Sequence, residues 1–393
     1  MAIDDKKLAI NGGTPVSKEP IIIHKPYLDE NDFIAIDKTA RTTFISGNGP
    51  QCMEFEKRFA EYLGMKHVLF TNSCTTALDL AFKAKNFPAG SEVIVPNFTY
   101  TSTALGPLLN NLKIRLIDVH SDNGNINPAN IEELINKNTV AIMPVDYAGN
   151  PADSAAVNSL AKKHNLFVVQ DAAQSIGSFY NGEKIGTLSD VTCFSFHGTK
   201  NLTTGEGGAL VTNDDKIAEL AKFIREKGTN KQSFLIDNKS RGFYEYETIG
   251  SSFVQSNILG GLAITQLEKI DWITAERTRI ADFYLENLKD LPNIKFNRIT
   301  DGAVNNWHIF GILVPPENRY LIMDALRAEG IMANVHYTPL HRNKFYKGLA
   351  IDEEMQGSMK YFGSLLRLPI YPSLTQEERE KVIEATRKVI GIL

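Results

Sequence analysis

A single lysine, Lys200, lies in a small-residue loop between two apolar, strand-like runs at residues 191–196 and 209–212. Glycines in the loop, such as Gly198 and Gly205, allow close backbone approach or positive φ. A lysine that is partly desolvated at such a turn can have its pKa lowered enough to attack a carbonyl carbon and form a Schiff base. The alternative is a solvated surface turn, which is common for a Gly-Thr-Lys sequence.

Three further features would complement a reactive lysine if the bound group were pyridoxal 5′-phosphate. Asp171 follows an apolar run and could pair with a protonated pyridine nitrogen, or it could cap a helix. Residues 73–76, Ser-Cys-Thr-Thr, open a helix where N–H groups and hydroxyls could bind a phosphate or serve only as a cap. Tyr100 could stack on a planar ring or pack as an ordinary aromatic side chain. Their joint occurrence predicts this cofactor.

The elements that must position these residues alternate between short apolar runs and amphipathic stretches. Strands are expected at residues 67–70, 92–95, 114–117, 140–145 and 166–169. Helices between them, including one at residues 128–136, are typical of an α/β fold with a mostly parallel sheet covered on both faces. Because ligands bind beyond the carboxyl ends of such strands, the loops that follow them are expected to form the site.

With 393 residues, the chain is long for one hydrophobic core and is expected to divide into two domains. We assign residues 1–255 to a large cofactor-binding domain with an irregular N-terminal lead-in. Residues 256–393 are assigned to connecting helices and a smaller α+β domain with strands at residues 309–314 and 332–336. Residues 228–250 lack periodicity and are interpreted as a long functional loop.

The composition argues against several classes of partner. Its 42 basic and 46 acidic residues give a formal net charge of −4, and no basic block stands out, so neither nucleic acid nor an anionic membrane is expected. Cys52, Cys74 and Cys193 form neither a disulfide framework nor a zinc-binding pattern. No stretch has the apolar length of a signal peptide or a membrane span. We therefore expect a reduced, cytoplasmic protein without a metal site.

Three motifs resemble those of the fold type I, pyridoxal-phosphate-dependent sugar-nucleotide aminotransferases. They are Val-Gln-Asp-Ala-Ala-Gln-Ser-Ile-Gly at residues 169–177, Cys-Phe-Ser-Phe-His-Gly-Thr-Lys-Asn at 193–201 and Gly-Glu-Gly-Gly at 205–208. The nearest resemblance is to the dTDP-4-keto-6-deoxyhexose 4-aminotransferases, which make amino sugars for surface polysaccharides such as O-antigen. It implies a three-layer α/β/α large domain, a nucleotide-linked keto sugar and glutamate as substrates, and a homodimer.

The same resemblance implies roles around the cofactor ring. Lys200 would hold the cofactor and move a proton between the sugar carbon and the cofactor carbon. Asp171 would pair with the pyridine nitrogen, Tyr100 would stack on the ring, and Gln174 would contact the region of the ring hydroxyl. His197 is interpreted as a satisfied core residue rather than a general base.

Further residues are implied at the phosphate and at the substrate. The phosphate group comprises Cys74, Thr75, Thr76 and Ser195, together with Ser252 from the other subunit of a dimer. His336 and Tyr337 are candidates for contacting the sugar, and a structural role in the smaller domain is the alternative.

The chain departs from many relatives at three positions. Gln170 stands where relatives have glutamate, and Cys74 where they have glycine or alanine; neither change alters the expected chemistry. Ser252 replaces an asparagine at the expected phosphate contact between subunits. Lys200 is a histidine in relatives that dehydrate sugars, so a lysine favours transamination. A dehydratase on this scaffold, an aminotransferase for 3-keto sugars and a binding protein without turnover are the alternatives.

Overall fold

The computed structural model describes residues 7–230, 244–348 and 354–393. Most of the loop expected at residues 228–250 therefore lies outside the described residues, namely at 231–243. Within the described ranges, no helix combines the length and the apolar character needed to cross a lipid bilayer.

Strands and helices alternate along most of the described chain. The strands are β1 (His67–Thr71), β2 (Glu92–Pro96), β3 (Lys113–Ile117), β4 (Thr139–Ile142), β5 (Phe167–Asp171), β6 (Phe179–Tyr180), β7 (Glu183–Lys184), β8 (Val191–Ser195), β9 (Gly208–Thr212), β10 (Lys295–Phe296), β11 (Ala303–Val304), β12 (Phe310–Leu313) and β13 (Leu365–Leu368). The helices are α1 (Glu30–Arg41), α2 (Pro50–Leu63), α3 (Cys74–Lys85), α4 (Thr101–Leu108), α5 (Ile131–Leu134), α6 (Ser154–His164), α7 (Asp215–Arg225), α8 (Asn257–Leu267), α9 (Ile270–Leu288), α10 (Arg319–Ala328), α11 (Gln356–Ser364) and α12 (Gln376–Ile392).

Seven strands form one large sheet in the order β1, β9, β8, β5, β4, β2, β3. Strands β2, β3, β4, β5 and β8 pair in parallel, while β9 runs antiparallel to both β1 and β8. The expected α/β fold with a mostly parallel sheet is confirmed. Because β1 is thus aligned with β8, the carboxyl ends of β1, β2, β4, β5 and β8 meet at one edge, where five loops converge.

Helices cover both faces of this sheet, because alternate residues of a strand point to opposite sides. Leu69 and Cys193 pack in a core that includes helices α3 and α7. Their neighbours Phe70 and Phe194 pack in a second core with α2 and α8. The central strands therefore read as continuous apolar runs, since neither face meets water.

A further core lies around a three-stranded sheet in the order β10, β12, β13. Helices α9 and α12 contribute Tyr284 and Val382 to it, and the N-terminal lead-in contributes Leu8 and Ile21. The lead-in thus packs against C-terminal residues. The division into domains at residues 255 and 256 stays a prediction.

Two secondary-structure predictions differ from the structure. Residues 332–336 do not form a strand, since this stretch makes only an isolated bridge at Asn334. The place beside β12 is taken by β13, which pairs with β12 from Phe310 through Leu313. The helix expected at residues 128–136 is limited to α5, preceded by a 3₁₀ turn at Pro128–Asn130.

Candidate active site

A cavity of about 470 Å³ opens where the five strand ends converge. Most of the residues that the sequence pointed to line it: Cys74, Thr75, Tyr100, Asp171, Gln174, Ser195, Lys200, His336 and Tyr337. They come from the ends of four strands, β1, β2, β5 and β8, and from the segment between α10 and α11. The topology therefore brings together residues that are up to 263 positions apart, between Cys74 and Tyr337.

Lys200 lies in the turn between β8 and β9. Its backbone N–H donates to the carbonyl of His197 at 2.8 Å, and Gly198 N–H donates to Gly205 O at 2.7 Å, so the turn is closed by its own backbone. Gly205 has φ +79°, a left-handed conformation that glycine adopts without strain. Burial lowers the pKa of Lys200 to about 8, and the charge of the neighbouring Asp171 opposes this shift. About a tenth of the amine is therefore neutral at pH 7, far more than for an ordinary lysine.

Asp171 is the last residue of β5 and is 5% exposed. One carboxylate oxygen accepts a hydrogen bond from Thr103 Oγ1 at 2.7 Å, and the other accepts from the Ala173 N–H at 3.1 Å. Burial raises the pKa of Asp171, while these hydrogen bonds and the charge of Lys200 oppose the rise. No helix begins at Ala172, so Asp171 does not serve as a helix cap. Such a carboxylate suits a cationic partner in the cavity.

The start of α3 forms another wall of the cavity. Ser73 caps the helix by accepting from the Thr76 N–H at 3.1 Å, which leaves the N–H groups of the first turn directed outward. The hydroxyl of Thr75 lies 2.7 Å from that of Ser102. A Cβ on Gly208 would lie 2.3 Å from Cys74 N, so glycine is required for β9 to pass this close to the helix start. The helix dipole and the free N–H groups favour an anion here.

Two aromatic residues and an amide form the opposite wall. The rings of Tyr100 and Tyr337 are 5.6 Å apart between centroids. Gln174 donates from Nε2 to the Tyr337 hydroxyl at 3.0 Å and accepts at Oε1 from the Ala148 N–H at 2.7 Å. Tyr100 is 57% exposed, which leaves one ring face available for stacking.

His336 lines the cavity with an uncharged imidazole ring. Burial, followed by the nearby charge of Arg367, lowers the pKa of His336 to about 3. The ring is thus uncharged at physiological pH and accepts a hydrogen bond from the Arg367 guanidinium, whose Nη1 lies 2.5 Å from Nε2. His336 and Tyr337 therefore present polar but uncharged groups to the cavity.

Two expected phosphate residues do not line the cavity. The hydroxyl of Thr76 is occupied in the helix cap, where it donates to Asn72 Oδ1 at 2.7 Å and accepts from the Ser73 N–H at 3.2 Å. Ser252 is exposed and outside the cavity wall of its own chain.

His197 is exposed, contrary to its interpretation as a core residue. Its ring Nδ1 lies 3.0 Å from the Thr199 hydroxyl at the cavity rim, and its ring Nε2 lies 3.7 Å from a carboxylate oxygen of Glu206. The apolar run that suggested burial ends one residue earlier, at Phe196, where the chain leaves the core.

Several residues that support the site were missed. Thr103 bonds Asp171, His24 bonds the Gly198 carbonyl at 3.0 Å, and Asn201 lies 3.2 Å from the His308 ring nitrogen. Thr103 lies in the first turn of α4, soon after β2, and could have been found by its place near the strand end. His24 and His308 come from distant segments, and no local pattern marks them.

The donor set fits pyridoxal phosphate. A neutral amine suits an aldehyde carbon, a buried carboxylate suits a protonated ring nitrogen, and the start of α3 suits a phosphate. Tyr100 offers a ring face, and the cavity has room for a small planar ligand. Lys200, Asp171 and Cys74 could therefore hold the three distinguishing groups of this cofactor.

The chain is similar to known proteins that include sugar-nucleotide transaminases. The sequence profile of the DegT/DnrJ/EryC1/StrS aminotransferase family matches residues 26–387. The chain is 34% identical over 379 residues to GDP-perosamine synthase of Caulobacter vibrioides, covering 94% of this chain and 98% of the relative. It is 30% identical over 361 residues to UDP-4-amino-4,6-dideoxy-N-acetyl-beta-L-altrosamine transaminase of Campylobacter jejuni. That match covers 90% of this chain and 93% of the relative.

The structure is similar to that of Helicobacter pylori PseC, described as an aminotransferase in pseudoaminic acid biosynthesis. The TM-score is 0.89 at 29% sequence identity, covering 95% of this chain and 100% of PseC.

Proposed function

The chain belongs to the DegT/DnrJ/EryC1/StrS aminotransferase family, and from this we propose that it transfers the amino group of glutamate to C4 of a dTDP-linked 4-keto-6-deoxyhexose. Members of the family depend on pyridoxal 5′-phosphate, and the chain is a sugar aminotransferase. The glutamate donor, the C4 position, the 6-deoxyhexose and the dTDP moiety are the parts proposed here.

The observation that carries the proposal is the lysine itself. Lys200 Nζ has a pKa lowered to about 8 in a cavity that also holds the Asp171 carboxylate. A histidine at this place could not attach a carbonyl carbon covalently, whereas a neutral lysine can. Transamination requires such an attachment and a base that returns to the same carbon. This favours an aminotransferase over a dehydratase on the same scaffold.

When bound, pyridoxal phosphate supplies an aldehyde for attachment and a ring that accepts an electron pair. Lys200 holds the cofactor at rest, and its amine Nζ moves the proton at the reacting carbon. Asp171 would pair with the protonated ring nitrogen, because its carboxylate is buried and belongs to the cavity wall. Tyr100 covers one ring face, and Gln174 lies toward the ring hydroxyl.

The phosphate is proposed to lie at the start of α3. Cys74 and Thr75 offer backbone N–H groups, and Thr75 and Ser195 offer hydroxyls toward the cavity. Thr76 contributes by holding the cap rather than by its hydroxyl. Ser252 of the partner subunit would complete the site in a homodimer, which accounts for its exposure on its own chain.

The acceptor is proposed to be anchored far from the reacting carbon. A nucleotide diphosphate binds at a distance from C4, so its binding energy must position the sugar for reaction. Near C4 the sugar carries hydroxyl and methyl groups, which suit the uncharged His336 and Tyr337 better than charged side chains would. The product would be a dTDP-linked amino sugar of the type used for surface polysaccharides.

The test is an amine-transfer assay with the holoenzyme and L-glutamate. The acceptors are the dTDP-, UDP- and GDP-linked 4-keto-6-deoxyhexoses, a 3-keto sugar nucleotide and a simple 2-keto acid. We expect an amino sugar from the dTDP-linked compound, and none from Lys200→Ala. Turnover of the keto acid at an equal or higher rate would reject the acceptor class. Product only from a UDP- or GDP-linked sugar would correct the nucleotide, and product only from the 3-keto sugar would correct the carbon.

A further inference from the structure

Two buried carboxylates of the described chain form no ion pair with a described residue. The buried carboxylates are those of Asp32, Asp79, Asp146, Asp171 and Glu329. All of them except Asp146 and Asp171 pair with a lysine. Asp171 lines the cavity, whereas Asp146 is 0% exposed and lies outside the cavity wall. Burying a charge is costly unless it is paired or fully hydrogen-bonded, so hydrogen bonds must stabilise Asp146.

Asp146 follows β4, and its carboxylate accepts three hydrogen bonds. Oδ1 accepts from the Ala152 N–H at 2.9 Å. Oδ2 accepts from Gln170 Nε2 at 2.9 Å and from Ser175 Oγ at 2.6 Å. Burial raises the pKa of Asp146 to about 6, and these hydrogen bonds oppose the rise. The carboxylate is therefore mostly ionised at pH 7 and accepts hydrogen bonds at both oxygens.

The two partners of Asp146 Oδ2 lie on either side of the residues that face the cavity. Gln170 directly precedes Asp171, and Ser175 directly follows Gln174. Asp171 and Gln174 line the cavity, whereas Gln170 and Ser175 are 0% exposed and lie behind its wall. One oxygen of Asp146 is thus bonded to both ends of the segment that presents Asp171 and Gln174.

Further hydrogen bonds join this segment to the loop that carries Asp146. The Asp146 N–H donates to the Asp171 carbonyl at 3.2 Å, and the Asp171 N–H donates to the Pro144 carbonyl at 2.9 Å. The Ala148 N–H donates to Gln174 Oε1 at 2.7 Å. The loop after β4 therefore contacts the backbone of Asp171 and the side chain of Gln174, so a shift of Asp146 would displace both.

We propose that Asp146 is a positioning residue for the cofactor ring, which holds the segment from Asp171 to Gln174 through Gln170 and Ser175. Asp171 is expected at the ring nitrogen and Gln174 at the ring hydroxyl, so the ring is held correctly when these two residues keep their spacing. Asp146 also places a second negative charge behind Asp171, which favours a cationic ring nitrogen. The inference rests on the cofactor of the family and on the proposed roles of Asp171 and Gln174, and not on the acceptor sugar.

The experiment compares two buried serines that make the same kind of bond. Ser175 Oγ donates to Asp146, and Ser358 Oγ, on α11, donates to Asp118; each bond is 2.6 Å long, and both serines are 0% exposed. Neither Asp118 nor Ser358 lines the cavity. In equilibrium titration of the full chain, Ser175→Ala should weaken cofactor affinity about fivefold to tenfold, the effect of one lost hydrogen bond. Ser358→Ala, the matched control, should stay within about twofold of wild type.

A second variant removes the charge at nearly constant side-chain volume. In Asp146→Asn, the amide nitrogen cannot accept from Gln170 and Ser175, so cofactor affinity should fall about tenfold or more. The circular dichroism band of the bound cofactor should weaken in Asp146→Asn and in Ser175→Ala, because this band reports how the ring is held. Thermal unfolding of the cofactor-free proteins should show similar losses of stability for Ser175→Ala and Ser358→Ala.

Two results would overturn the proposal. One is wild-type cofactor affinity with an unchanged dichroism band in Ser175→Ala, and the other is an equal loss of affinity in Ser175→Ala and Ser358→Ala. The serine comparison decides the matter even if Asp146→Asn does not fold. These measurements use no sugar nucleotide. If wild type binds the cofactor but aminates no dTDP-linked sugar, the acceptor is wrong and the Asp146 assignment stands.

Discussion

His24 Nε2 donates a hydrogen bond of 3.0 Å to the carbonyl oxygen of Gly198, two residues before Lys200. This bond joins the N-terminal lead-in to the turn that carries the reactive amine. Burial lowers the pKa of His24 to about 4, so the ring is neutral and donates through a single tautomer. Asn201, just after Lys200, is held by the His308 ring at 3.2 Å and by the Asn306 carbonyl at 3.2 Å. The lysine turn is therefore fixed from both sides by segments outside the large sheet.

His24 is predicted to be a positioning residue for Lys200. His24→Leu leaves the Gly198 carbonyl without its donor, and a lost hydrogen bond of this kind costs about 1 kcal/mol or more. We expect kcat to fall about fivefold to tenfold and the absorbance pH titration of the bound cofactor to shift. His24→Gln restores a donor and should recover most of the rate. Equal rates for His24→Leu and wild type would show that the bond does not position the amine.

Lys200 is predicted to be the attachment point of the cofactor. Borohydride reduction of the holoenzyme should fix the cofactor to the peptide that contains Lys200, as shown by mass spectrometry of a digest. Lys200→Ala should lose turnover by a factor of about 10³ or more, since both attachment and proton transfer are lost. Lys216→Ala, an exposed lysine on α7, is the control and should remain active. Labelling of another lysine would contradict the assignment.

The mostly parallel sheet and most of the cavity residues could be predicted because they depend on local patterns. A buried parallel strand is a short apolar run, and the polar residue that ends it falls at the sheet edge, as for Asp171 and Ser195. The motif around Lys200 was also among those that predicted pyridoxal phosphate as the cofactor.

Contacts between distant segments could not be predicted in this way. His24 and Arg367 reach the site through tertiary packing, and neither has a neighbour in sequence that marks it. The strand expected at residues 332–336 is reduced to one bridge, from Asn334 to Arg367 of β13. The part of Thr76 in the helix cap was not foreseen, because capping and phosphate binding use the same side chains.

The lowered pKa of Lys200 predicts a pH dependence for cofactor attachment to the cofactor-free protein. Only the neutral amine attacks, and burial lowers its pKa from 10.5 to about 8. The attachment rate should therefore rise about tenfold per pH unit below pH 8 and level off above it. Stopped-flow absorbance at several pH values measures this midpoint. In Asp171→Asn, loss of the opposing negative charge should move the midpoint to lower pH. A midpoint near 10 in wild type would contradict the burial of the amine.

Asp171 and Thr103 are predicted to act as a unit. Asp171→Asn removes the negative charge that suits a protonated ring nitrogen, so turnover should fall by about 10² or more. Thr103→Val removes the hydroxyl that lies 2.7 Å from the Asp171 carboxylate; loss of one hydrogen bond should weaken cofactor affinity about fivefold to tenfold. Thr278→Val is the control, since its hydroxyl bonds only the Thr274 carbonyl on α9. Equilibrium titration with the cofactor measures the affinities. An unchanged cofactor affinity in Thr103→Val would show that Thr103 does not support the role of Asp171.

The working unit is predicted to be a homodimer whose sites are shared between subunits, because Ser252 is exposed and does not line the cavity of its own chain. Lys200→Ala and Ser252→Asp should each be inactive, the second because an added carboxylate repels the phosphate. In a mixed dimer, the Ser252→Asp subunit supplies Lys200 while the Lys200→Ala subunit supplies Ser252, so one intact site forms. Random exchange at equal concentrations should thus restore about a quarter of wild-type activity. Sedimentation should show a dimer at assay concentration. A fully active monomer, or no recovery in mixtures shown to contain hybrid dimers, would place Ser252 outside the partner's site.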